Sequence, residues 1–163
     1  MKFATPLAAV ALSLFATTAS AQAVRTEKNM SLDLANQIAA ATVASCSASG
    51  YNVTAAVVDR AGTLRALQRA DNAGPHTVGA AQGKAYTSAS ARNTTAAMLE
   101  TVQKNPGAAT LVDIPGFLVL GGGVPVKVGN EVIGAVGVGG APGGHLDEAC
   151  ATAGIAKVAE LLK

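Results

Sequence analysis

The sequence predicts an α+β domain of two layers, with a five-stranded, mainly antiparallel sheet flanked by helices. Three observations carry this. Apolar runs are joined by turns too short for a crossover, at Asp59-Arg60-Ala61-Gly62 and at Gly129-Asn130, and such turns connect antiparallel neighbours. Segments between them keep a helical period. The order is helix, two strands, helices, three strands, helix, which is not the strand–helix alternation of a parallel sheet.

Each element has a local reason. Val24 to Met30 is polar and loosely patterned. Ser31 is a plausible N-cap, since its hydroxyl can accept from an orphan helix amide. Ile38, Ala39, Thr42, Val43 and Cys46 then repeat at helical spacing until Gly50. Val53 to Val58 is apolar on both faces, as a central strand requires. Thr63 to Arg69 returns beside it. Asp71-Asn72-Ala73-Gly74-Pro75 breaks the sheet, and Pro75 suits the first turn of a helix. That helix, His76 to about Arg92, is small-sided, with Gly79, Ala80, Ala81, Gly83, Ala85, Ser88 and Ala89. Glycine costs about 1 kcal/mol inside a helix, so close approach of another helix, another subunit or a flat ligand is expected there. A second helix, about Thr95 to Lys104, stops at Asn105-Pro106-Gly107. From Phe117 the chain reads strand, glycine turn at Gly121–Gly123, strand, turn at Gly129-Asn130, strand, then the loop Gly139–Gly144. A last helix runs from about Leu146 to Leu162.

Composition bounds the function. With 163 residues, half of them apolar and 13% charged, the chain fills one packed domain and is not disordered. The core is aliphatic, because Trp is absent. A net charge of +2 with no Lys/Arg run does not suit nucleic acid. Met1 to Ala23 reads as a cleaved export signal: Lys2, an apolar run from Leu7 to Phe15, and small residues at Ala19-Ser20-Ala21. Residues 24–163 then form a single domain, periplasmic or secreted and free of the membrane. In an oxidising compartment Cys46 and Cys150 can pair; two buried thiols are the alternative.

The glycines do not make a nucleotide loop. Pro142 stands where a third glycine would follow Gly137 and Gly139, and Gly79 to Lys84 is one residue short of a phosphate loop. No GxSxG supports a serine nucleophile. Asp59 opens a turn, and Asp147 and Glu148 suit a first helical turn. Neutral imidazole is a good iron ligand, and haem needs only one or two axial donors on an apolar wall. His76 is the first candidate, His145 a weaker one, and Tyr86 an alternative. Arg69, Lys84 and Arg92 are the cations near the expected cleft. They suit propionates or another carboxylate, or else a solvated face and internal pairs.

Val57-Val58-Asp59-Arg60-Ala61-Gly62 with Arg69-Ala70-Asp71-Asn72-Ala73, Lys84-Ala85-Tyr86-Thr87-Ser88, Gly121–Val126, Ile133–Val138 and Asp147-Glu148-Ala149-Cys150 together resemble the GlcG/HbpS-like family, which includes the C-terminal domain of PduO. The resemblance covers nearly all of residues 24–163. It implies a profilin-like fold, homo-oligomers and haem as the cofactor. Haem is then expected against the small-sided helix and the Gly121–Pro125 turn, including Gly122, Gly123 and Pro125. His76 would ligate the iron, and Lys84 or Arg69 would lie near a propionate. Gly139-Gly140 departs from the Ser-Gly of many relatives, and His76 stands where they carry other side chains. Sequestration, uptake or redox sensing of haem are the implied roles, with haem degradation a subsidiary one. The alternative is an enzyme or accessory protein that binds a small oxidised carboxylate or aldehyde.

Overall fold

The computed structural model describes residues 23–163. The export-signal expectation, 1–23, lies outside the described residues apart from Ala23. The elements in order are α1 (Leu32–Ala48), β1 (Thr54–Asp59), β2 (Leu64–Arg69), α2 (His76–Ala91), α3 (Thr95–Lys104), a 3₁₀ segment (Pro106–Asp113), β3 (Gly123–Val128), β4 (Glu131–Gly139), α4 (Gly144–Lys157) and a short 3₁₀ turn (Ala159–Leu161). Ser31 caps α1 through its hydroxyl, which accepts from the Leu34 amide at 3.2 Å.

The sheet has four strands in the order β2-β1-β4-β3, all antiparallel. The expected fifth strand is absent. Phe117–Leu120 is irregular because its amides have other acceptors: Leu118 donates to the Thr87 hydroxyl of α2 at 2.7 Å, and Leu120 to the Leu118 carbonyl at 2.9 Å. Pro125 is tolerated because β3 is an edge strand.

Every residue of β1 is buried, as are the last eight of β4, so both faces of the sheet need cover. The two faces are unlike. One presents Val53, Val57, Val136 and Val138 to α1 and α4 in the main core. The other presents Val58, Ala135 and Gly137 to α2. The stack is therefore helix–sheet–helix, three layers where two were expected. A Cβ on Gly137 would lie 2.1 Å from the Ala81 carbonyl oxygen, so α2 rests almost backbone to backbone on β4. The small inner side chains of α2 are explained by its own sheet.

On the other face α1 and α4 run antiparallel. Thr42 meets Gly154, whose absent side chain lets the helices touch. One turn along each, Cys46 and Cys150 form a disulfide with a Cα–Cα distance of 5.3 Å. Among the described residues no helix is long and apolar enough to cross a membrane.

Candidate ligand cleft

The outward face of α2 is only partly covered by the fold, the Gly116–Leu118 segment approaching it at Gly83. Gly79, Gly83 and Tyr86 recur there at three- and four-residue spacing, and with Gln82 they form one wall of a cleft of about 530 Å³. The β1–β2 turn supplies Gly62, the start of β2 supplies Leu64, and the segment after the 3₁₀ turn supplies Pro115 to Leu118. That volume lies within the roughly 300–1,000 Å³ typical of small-molecule sites. Three glycines keep it open. A Cβ on Gly79 would meet nothing within 4 Å, whereas one on Gly62 would sit 2.7 Å from the Tyr86 ring and one on Gly116 3.3 Å from its opposite edge. Tyr86 is thus held between two glycines, with its ring edge-to-face on Phe117 at a centroid distance of 6.0 Å.

The walls are aliphatic, aromatic or backbone, and Gln82 and Tyr86 are the polar side chains among them. A flat apolar ring fits such walls, and a phenolic oxygen is an established type of donor to haem iron. Among the described residues no group of three His, Cys, Asp or Glu side chains could hold a bare metal ion.

The residues singled out in the sequence are dispersed around this cleft. His76 opens α2 and is exposed. It lies one turn before Gly79 and outside the lining. Lys84 faces inward and is 2% exposed. Its ammonium donates to Asp147 Oδ2 at 2.7 Å and to the Val138 carbonyl at 2.8 Å. The other oxygen of Asp147 accepts from the Ala141 amide at 3.0 Å. Lys84 therefore ties α2 to the end of β4 and to α4, and does not reach the cleft. Arg69, at the far end of β2 from Leu64, donates to the Ala73 carbonyl of its own turn. Gly122 and Gly123 are buried between α2 and β4; a Cβ on Gly123 would lie 2.4 Å from the Lys84 carbonyl oxygen. Pro125 pairs with Ala135 in the sheet. The Gly121–Pro125 turn thus packs under α2, and the cleft opens elsewhere. His145 is exposed at the start of α4 and borders a separate groove with Ala96 and Glu148. Asp59 holds its turn, its carboxylate accepting from the amides of Ala61 and Thr63 at 3.0 Å.

Phe117 and Leu118 were missed as cleft residues because an apolar run beside two β-runs reads as a strand. The neighbouring Pro115-Gly116 turn was the signal against it.

Known proteins share the sequence pattern and the fold. A family model described as "Haem degrading protein HbpS-like" matches residues 30–156. Protein GlcG of Escherichia coli (strain K12) is 37% identical over 115 residues, 71% of this chain and 84% of that protein. A 15.0 kDa protein of Citrobacter freundii, from the dhaT-dhaS intergenic region, is 34% identical over 68% of this chain and 80% of its own length. Among solved structures, HbpS superposes with a TM-score of 0.79 at 37% identity, covering 83% of this chain and 94% of that one. A double mutant of Streptomyces reticuli HbpS gives 0.79 at 35%, covering 94% and 99%. The PduOC:Heme complex shares the fold at a TM-score of 0.66 and 24% identity, covering 74% and 88%. The shared fold and a family match that spans most of the described residues converge: this chain belongs to the HbpS-like family.

Proposed function

We propose that this protein is an exported haem-binding protein whose haem ring lies in the cleft beside Gly79 and Gly83, with the Tyr86 phenolic oxygen as the iron donor. The observation that carries the reading is the cleft itself, an apolar slot on the outer face of α2 with an oxygen donor in its wall. Burial of apolar surface supplies most of the affinity. The HbpS-like family and the haem of the related PduOC complex support the choice of ligand. Tyr86 takes the role that His76 held on sequence grounds, because Tyr86 lines the slot and His76 stands a turn outside it. Export is supported by the Cys46–Cys150 disulfide, which suits an oxidising compartment. Homo-oligomers belong to the same reading: exposed Val112, Ile114 and Leu120 near the rim offer apolar surface to a second copy.

Titration of the purified protein with hemin tests this. A saturable shift of the Soret band is expected, lost in Tyr86→Phe and retained in His76→Ala. The opposite pattern in the two variants would return the iron to His76. A wild-type spectrum identical to that of free hemin would sink the reading, and thermal stabilisation by small carboxylates alone would favour a metabolite-binding role. Loss of the Soret band on adding a reductant in air would show that bound haem is degraded.

A further inference from the structure

Two polar recesses lie beside the cleft. Past Tyr86 and Gly62, which form a common wall, lies a recess of about 170 Å³ that also borders Arg60, Ser90 and Arg92. Arg60 and Arg92 are in turn shared with a groove of about 640 Å³ that holds Lys28, Lys127 and Glu131. An apolar slot is thus flanked by recesses that hold four cations.

These cations are not equivalent. Arg60 is neutralised by Glu27, at 2.9 Å from its Nε, and by Glu131. Arg92, Lys28 and Lys127 form no ion pair or side-chain hydrogen bond among the described residues and are exposed. Arg92 follows the last turn of α2 with a left-handed backbone, φ 55°. It lies six residues beyond Tyr86, about 9 Å along the helix axis. That spacing suits a planar ligand centred on Tyr86 with acidic groups on one edge. Of the three cations expected from the sequence, Arg92 alone meets this need. Lys84 is enclosed with Asp147, and Arg69 is five residues along β2 from the cleft's Leu64, about 17 Å.

We propose that Arg92, backed by Lys127 and Lys28, is the carboxylate subsite of the cleft and receives the propionates of the bound tetrapyrrole. This rests on the haem reading above. The guanidinium would pair with a carboxylate through charge-assisted hydrogen bonds, while the two lysines raise the local positive potential.

The test compares hemin with hemin dimethyl ester, in which the carboxylates are masked, by absorbance titration of the full protein. The variants are Arg92→Gly and Lys127→Gln. Glycine is chosen at position 92 because it adopts the left-handed backbone without strain, and unfolding midpoints are measured alongside. Arg92→Gly is expected to weaken hemin about fivefold, the upper range for an exposed ion pair, and Lys127→Gln about twofold. Neither variant should change the affinity for the ester. Raising the salt concentration should weaken hemin in the wild type more than in Arg92→Gly. Unchanged hemin affinity in Arg92→Gly, with the wild type binding hemin, overturns the subsite and leaves the haem reading standing. Equal losses for hemin and ester also overturn it, since the substitution then acts through the cleft's shape. If wild type binds neither porphyrin, the haem reading fails and the subsite with it.

Discussion

Lys84 is the largest of the almost fully buried side chains among the described residues. An isolated buried ammonium would be costly, and here Asp147 and the Val138 carbonyl receive it. Asp147 also holds the Ala141 amide, so the pair closes the loop between β4 and α4 onto α2. Removing one partner leaves the other charged, buried and alone. Lys84→Met or Asp147→Asn should lower stability by about 3–5 kcal/mol, read as a fall in the urea midpoint with an unchanged slope. Replacing both by apolar residues should restore much of the loss, because the desolvation cost of both ions disappears. In the sequence each residue was legible only locally. Lys84 sat on a helix near an expected cleft, and Asp147 suited a helix N-terminus. Their meeting spans a sequence separation of 63, and no local pattern encodes it.

At the scale of elements, α2 has two faces of small residues with opposite causes. The inner glycine contacts are steric necessities of close helix–sheet packing. Gly137→Ala would drive a methyl group into the Ala81 carbonyl, so α2 must lift off; a loss of at least about 3 kcal/mol is expected, the upper end for overpacking. Gly79 is different, since nothing lies within 4 Å of its would-be Cβ. Gly79→Ala should stabilise the helix by up to about 1 kcal/mol, with thermal melts separating the two variants. If both destabilise equally, the outer face is not open. The bareness of this helix was plain from composition, and so was the need for a close neighbour. What the sequence left undecided was which neighbour sits on which side, because 16 residues, most of them small and without a strong apolar stripe, do not orient a helix. The missing fifth strand has a related cause: Phe117–Leu120 carries apolar side chains, but its backbone amides are taken by Thr87 and a tight turn.

For the molecule as a whole, the antiparallel contact of α1 with α4 brings the first and last helices together, and the disulfide fixes them at a sequence separation of 104. Constraining so long a loop in the unfolded chain is worth about 4–5 kcal/mol in the chain-entropy account. Set against the roughly 5–15 kcal/mol that holds a typical domain together, this is a large share. The Cys46→Ala/Cys150→Ala variant should therefore unfold at a markedly lower denaturant concentration, and the wild type should fall to the same midpoint once reduced. A midpoint insensitive to reduction would mean that packing of Thr42 on Gly154 already holds the pair. The antiparallel sheet and the first and last helices were readable from turns and periodicity. The cysteine pairing was left open because it depends on which ends of two distant helices meet.

The same link has a consequence for protein chemistry at the bench. The exposed 3₁₀ segment Pro106–Asp113 falls inside the ring that Cys46 and Cys150 close. A protease that nicks the chain there yields fragments that still migrate as one band until a thiol is added.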